Sequence, residues 1–160
     1  MSIKVGDRMP NGTLTLATKD GPRKVSADEF FRGKKVVLFS VPGAFTPTCD
    51  ARHLPGFVER ADEIRSKGVD TIACLAVNDA FVMQAWGQAH GCEGKVQMLA
   101  DGNAEYTKAL GLEMDATAFG MGIRGQRFAL IVEDGVVKSV NVEQNGEFKV
   151  SSAESVLEQL

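Results

Sequence analysis

Cysteine is scarce in this chain: Cys49, Cys74 and Cys92 are the three among 160 residues. Three is too few, and odd in number, for the disulfide framework of a secreted protein, so a reducing compartment fits. Long apolar runs are also missing. Val36 to Phe39 falls far short of a bilayer span, and Met1-Ser2-Ile3-Lys4-Val5-Gly6 has no apolar leader segment. These absences argue against secretion and membrane insertion and give a cytoplasmic expectation. No basic cluster is present either. Lys and Arg number 18 against 21 Asp and Glu, for a net charge of -3, which removes the electrostatic term that dominates nucleic-acid affinity. No repeat, low-complexity stretch or linker interrupts the chain, so residues 1–160 read as one domain.

What is present is an ordered succession of elements. Thr13-Leu14-Thr15-Leu16 alternates at period two before the turn signal Lys19-Asp20-Gly21-Pro22, which predicts an N-terminal hairpin at the domain's edge. Ser26-Ala27-Asp28-Glu29 reads as a capping box for a short helix ending near Gly33, and Val36 to Val41 as a strand buried on both faces. Leu54, Phe57, Ala61 and Ile64 recur at helical spacing within Thr48 to Ser66, predicting one long amphipathic helix with a kink or break at Pro55-Gly56. Strand Thr71–Val77, helix Phe81–Ala89, strand Val96–Leu99 and helix Ala104–Leu110 follow, capped by Asn78-Asp79 and Asp101. Such alternation implies a parallel sheet. Phe128–Val132 and Val136–Val142 flank the hairpin turn Glu133-Asp134-Gly135, and Ser151-Ser152-Ala153-Glu154 reads as the cap of a last helix. The expected class is α/β: a mixed, mostly parallel central sheet flanked by helices, resembling a thioredoxin-like fold.

Chemistry concentrates at Cys49. It follows a buried strand and a Pro/Gly loop and stands in the predicted first turn of a helix, where unpaired N–H groups and the helix dipole favour an anion. The expectation is a lowered thiol pKa and a nucleophilic thiolate.

Pro42-Gly43-Ala44-Phe45-Thr46-Pro47-Thr48-Cys49 contains Pro-x-x-x-Thr-x-x-Cys, which resembles the active-site signature of peroxiredoxins. With His53-Leu54-Pro55-Gly56-Phe57, Val77-Asn78-Asp79-Ala80-Phe81-Val82 and the stretch Arg127 to Val142, it resembles the type II subfamily over nearly the whole chain. The resemblance implies a thiol-dependent peroxidase of antioxidant defence and redox homeostasis. In it, Cys49 attacks a hydroperoxide and becomes a sulfenic acid. It also implies that Thr46 holds thiolate and peroxide together, that Arg127 stabilises the charge, and that Pro42 shields the site. Pro42, Gly43, Thr46, Cys49 and Arg127 then form the substrate site. This chemistry requires no metal or organic cofactor, and the resemblance implies a homodimer, with Phe45, Phe119 and Met121 as apolar residues that could serve at the contact or line the pocket.

The chain departs from many type II relatives at Gly146 to Ser152, which holds no resolving cysteine and so excludes a disulfide there. Cys74 lies in a predicted buried strand and reads as a small hydrophobe. Cys92, between Gly91 and Glu93-Gly94, reads as more exposed. A one-cysteine cycle is therefore expected, with an external thiol, glutathione with glutaredoxin or else thioredoxin, reducing the sulfenic acid. Two other enzymatic readings are weaker. In Cys49-Asp50-Ala51-Arg52, arginine replaces the second cysteine of a disulfide exchanger. His53 could share a helix face with Cys49 as in a cysteine hydrolase, but no oxyanion-hole motif accompanies it.

Overall fold

The computed structural model describes residues 2–160, and its frame is a seven-stranded mixed sheet. The N-terminal hairpin forms as expected, with β1 (Thr13–Thr18) pairing antiparallel to β2 (Gly21–Ser26), and β2 is the sheet's outer edge. Then come α1 (Ala27–Phe31), β3 (Lys35–Ser40), α2 (Leu54–Glu59), α3 (Ala61–Ser66), β4 (Thr71–Ala76) and α4 (Ala80–Ala89). They are followed by β5 (Gln97–Ala100), α5 (Glu105–Leu110), β6 (Glu113–Asp115), β7 (Ile123–Gly125), β8 (Phe128–Glu133), β9 (Val136–Val142) and α6 (Ala153–Gln159). The strand order is β2-β1-β5-β4-β3-β8-β9; β3, β4 and β5 run parallel, and the flanking hairpins join them through the antiparallel pairs β1–β5 and β3–β8. β6 and β7 pair separately.

The period-two geometry of the strands divides the interior into two layers. Val37 and Phe39 of β3 pack with Leu54, Phe57, Ile64, Met83, Trp86 and Val156, which covers one face with α2, α3, α4 and α6. Val36 and Leu38 point the other way, into Phe30, Phe31, Tyr106 and Leu110 of α1 and α5. A strand between two helical layers has no wet face, which is why Val36 to Phe39 is uninterrupted by polar residues. Capping follows the sequence closely at three helices. Ser26 accepts from the Glu29 N–H, Asp79 accepts from the Val82 N–H, and the Asp101 carboxylate accepts from the Tyr106 and Thr107 N–H groups.

Two expectations about helix ends need correction. Thr48 to Ser66 is not one kinked helix broken at Pro55-Gly56. The helix opens at Pro47 and Thr48, where the Asp50 N–H donates to the Thr46 carbonyl, widens into a π-turn, Cys49–His53, that lets the Leu54 N–H reach the Cys49 carbonyl, continues as α2, and breaks at Arg60. Pro55 causes no break because it lies in the first turn of α2, where its missing N–H forfeits nothing. At the C-terminal helix the cap is Ser152, which accepts from the Ser155 N–H, whereas Ser151 turns inward to another partner.

Candidate active site

Cys49 sits at the mouth of the α2 layer, as the first residue of the π-turn, and is completely buried. The loop that covers it, from Pro42 to Thr48, is tightly tied. The Ala44 N–H donates to Asn78 Oδ1 at 3.0 Å, so the turn after β4 fixes the loop after β3. Thr46 donates twice to the Gly43 carbonyl, from its hydroxyl at 2.7 Å and from its N–H at 3.3 Å. Between them Phe45 takes a left-handed backbone, φ 64°, a conformation that costs a bulky residue about 1 kcal/mol and that these bonds hold in place. The space beside Gly43 is tight. A Cβ there would stand 3.0 Å from Thr46 Cγ2, 3.1 Å from Arg124 Nη1 and 3.3 Å from Met121 Cε.

Arg127, just before β8, reaches across from the far side. Its Nη2 donates to Cys49 Sγ at 3.1 Å and its Nη1 donates to His53 Nδ1 at 2.8 Å, while His53 Nε2 donates to the Ser151 carbonyl at 2.9 Å. His53 is fully buried; burial first, and then the Arg127 charge, bring its pKa down to about 3. The imidazole is therefore neutral and carries its proton on Nε2. Spacing places His53 near Cys49, but its ring nitrogens face the Arg127 guanidinium and the Ser151 carbonyl rather than the thiol. Phe148 roofs this group, its ring centroid 4.9 Å from that of His53 and 5.9 Å from the Arg127 guanidinium carbon.

A second tie holds the outer side of the π-turn. Asp50 Oδ1 accepts from Trp86 Nε1 at 2.8 Å and from His90 Nε2 at 2.7 Å, and these bonds, that of His90 first, keep the Asp50 carboxyl below the usual range. No local motif links Asp50 with Trp86 and His90, so this network was invisible in the sequence. Arg124 was also missed; its Nε donates to the Met121 carbonyl, and its Nη1 lies 3.4 Å from the Pro42 carbonyl.

A cationic guanidinium on a buried thiol beneath a rigid Pro-Gly-Thr loop is suited to stabilising a thiolate and the charge that moves onto a departing oxygen. The comparisons with known proteins agree. The Redoxin family profile matches residues 4–157. Peroxiredoxin-2B of Arabidopsis thaliana is 50% identical over 159 residues, covering 99% of this chain and 98% of the relative.

The chain belongs to the peroxiredoxin family.

Peroxiredoxin-2E-2, chloroplastic, of Oryza sativa subsp. japonica is 52% identical, covering 99% of this chain and 73% of that protein. The crystal structure of reduced Prx3 in complex with H2O2 from Vibrio vulnificus superimposes with a TM-score of 0.94 at 54% identity, covering 98% of each chain. This peroxiredoxin has the thioredoxin-like mixed sheet expected of it, its peroxiredoxin-2 relatives agree with the type II assignment, and it is a thiol-dependent peroxidase. The other two cysteines of the peroxiredoxin are free and buried. Cys74 on β4 is fully enclosed, and burial, with the Cys49 and Cys92 thiols nearby, pushes its pKa well up. Cys92 corrects an expectation. It is 2% exposed, packed into the α4 layer where a Cβ on Gly87 would lie 3.7 Å from its own, and burial pushes its thiol up to about 11.

Proposed function

We propose that Cys49 is the peroxidatic cysteine and that Pro42, Gly43, Thr46 and Arg127 complete its substrate site. The observation that carries this reading is the Arg127 Nη2 donor 3.1 Å from Cys49 Sγ. The thiolate sulfur attacks the terminal oxygen of hydrogen peroxide or an alkyl hydroperoxide. The S–O bond forms as the O–O bond breaks, and the departing hydroxide or alkoxide takes up a proton to leave as water or alcohol. Arg127 stabilises the negative charge on sulfur and on the leaving oxygen. The Thr46 hydroxyl swings from the Gly43 carbonyl toward the peroxide, and Pro42 keeps bulk water out.

The sulfenic acid is reduced by an external thiol, either glutathione with glutaredoxin or thioredoxin. The reductant's thiolate attacks the Cys49 sulfur, expelling hydroxide that is protonated to water. A second thiol then attacks the reductant's sulfur in the mixed disulfide, restoring Cys49. Two features support this cycle: both remaining thiols are buried with raised pKa values, and a groove of about 290 Å3 opens beside the π-turn between Ala51, Arg52 and Arg60 on one side and Phe148, Ser152 and Glu154 on the other. The groove carries Arg52 and Arg60, neither paired with a carboxylate among the described residues, alongside Glu59 and Glu154, so its lining offers both signs of charge to an incoming thiol.

Intact-mass measurement tests the whole sequence of steps. One equivalent of peroxide is expected to add one oxygen, and glutathione then to convert that species to a mixed disulfide. Cys49→Ser abolishes both, and turnover in Cys49→Ser would refute the assignment; loss of two hydrogens on oxidation would instead assign an internal disulfide.

The working unit in this reading is a homodimer of single-domain chains, which Phe45 at 52% and Phe119 at 82% exposure beside the active-site loop support. A sedimenting species of one chain's mass would remove the dimer. In this reading the chain acts in the cytoplasm; its free thiols support a reducing compartment, and cell fractionation checks it. Among the described residues no helix is long and apolar enough to cross a membrane.

A further inference from the structure

We propose that Glu143 is a positioning residue for the peroxide step, holding Arg127 against Cys49 through a closed ring of hydrogen bonds; this rests on the role given to Arg127 above. Glu143 is the first residue after β9 and is buried. Its own N–H donates to the Arg127 carbonyl at 2.9 Å, which ties it to the backbone of the arginine. Its carboxylate Oε2 accepts from the Lys149, Val150 and Ser151 N–H groups, each at 2.8 Å, and from the Ser151 hydroxyl at 2.7 Å. The Ser151 carbonyl is thereby fixed as the acceptor for His53 Nε2, and His53 Nδ1 as the acceptor for Arg127 Nη1. The ring therefore begins at the Arg127 backbone and closes on the Arg127 side chain, leaving Nη2 free for the sulfur.

The chemistry of each member matters. Burial disfavours the Glu143 carboxylate, but four hydrogen bonds from Ser151, Lys149 and Val150 outweigh it and hold the group ionised. One oxygen of the anion takes three successive N–H groups and a hydroxyl, and the negative charge makes all four bonds stronger than a neutral amide carbonyl would. Ser151 and His53 stand between the negative charge and the guanidinium. What touches Arg127 is a neutral imidazole, which orients it without cancelling its charge, and Arg127 forms no ion pair with a carboxylate among the described residues. A carboxylate in the place of His53 would aim the arginine equally well but would compete with the thiolate for its field. The segment pinned by Glu143 also carries Phe148, whose ring covers His53.

The test is a double-mutant cycle on the rate of Cys49 oxidation by hydrogen peroxide, measured as a single turnover with no reductant. Glu143→Gln is expected to slow oxidation about 10-fold, because small displacements of a charged group cost rate steeply, and to change it less than twofold in an Arg127→Ala background. An unchanged rate in Glu143→Gln, or the same loss in both backgrounds, overturns the proposal. Full oxidation rate in Arg127→Ala alone would instead refute the role given to Arg127. Should Glu143→Gln not fold, Ser151→Ala removes the hydroxyl donor alone and is expected to slow the same step about threefold in the parent only; equal rates overturn the proposal. Nitrogen NMR of the parent adds a readout independent of rate: His53 protonated on Nε2 supports the ring, and a proton on Nδ1 breaks it.

Discussion

Acidification probes the buried histidine directly. Folded, His53 stays neutral down to about pH 3, against an ordinary value of 6.5 in the unfolded chain. Between those limits the unfolded state binds the additional proton, so stability is fully present above pH 6.5 and declines as pH falls toward 3. Each unit corresponds to about 1.4 kcal/mol, so at pH 5 the deficit is about 2 kcal/mol, and it approaches about 5 kcal/mol near pH 3. Glu143 and Asp50 are held below their ordinary values and stay ionised above pH 5, so they leave this window clear. The assay is urea denaturation at pH 7.5 and pH 5 for the parent and for His53→Gln. At typical slopes, about 2 kcal/mol moves the midpoint by about 1 M. The parent is expected to lose that much more stability than the variant; His90 is common to both proteins and cancels. Equal losses in the two proteins would show that His53 is not held neutral, and the argument for its tautomer would fall with it.

Two further outcomes follow from the packing. With its thiol pushed up to about 11, Cys92 is only about a thousandth ionised at pH 8, so iodoacetamide is expected to label it after unfolding and hardly at all before; rapid labelling of the native protein would contradict its burial. Phe57 stacks on Phe39 with centroids 4.0 Å apart under the active-site turn and is fully buried, so Phe57→Ala should cost about 3–5 kcal/mol in denaturant unfolding. A loss under 1 kcal/mol would mean that the layer beneath Cys49 is far more plastic than its contacts imply.

The layered fold was readable in the sequence because its signals are local. Val36 to Phe39 is apolar without alternation, Asp79 and Asp101 precede helical periods, and Glu133-Asp134-Gly135 stands between two strand-like runs. Cys49 stood out from its place after a buried strand at a helix start, Arg127 from the family resemblance alone, and the fold brings them within hydrogen-bond distance across 78 residues of chain. What escaped depends on pairs far apart in sequence. Asp50 meets Trp86 and His90, Ala44 meets Asn78, and His53 meets Ser151 only once the sheet is assembled. The π-turn escaped for a different reason. Its heptad-like apolar spacing reads as continuous helix, and one additional residue in a turn leaves no mark on composition. Cys92 was misjudged because flanking glycines signal a bend, and a bend can still turn a small side chain inward.

The arrangement of the three thiols bears on how the enzyme is restored. Cys49, Cys74 and Cys92 share one apolar layer, so proximity alone would favour an internal disulfide. Reactivity opposes it. The attacking species must be a thiolate, and Cys74 is pushed well up by burial and by its two thiol neighbours, in the middle of a parallel strand pair whose ladder would have to shift for its sulfur to move. Cys49, by contrast, stands on a single π-turn, tied through Asp50 to the buried Trp86 and the half-buried His90. In the proposed cycle the sulfenic acid on Cys49 is met from outside the sheet, through the groove lined by Arg52 and Phe148. A thiol arriving in water is ionised to a useful extent at neutral pH, whereas Cys74 is not, and that difference favours the external reductant even though the internal thiol is nearer.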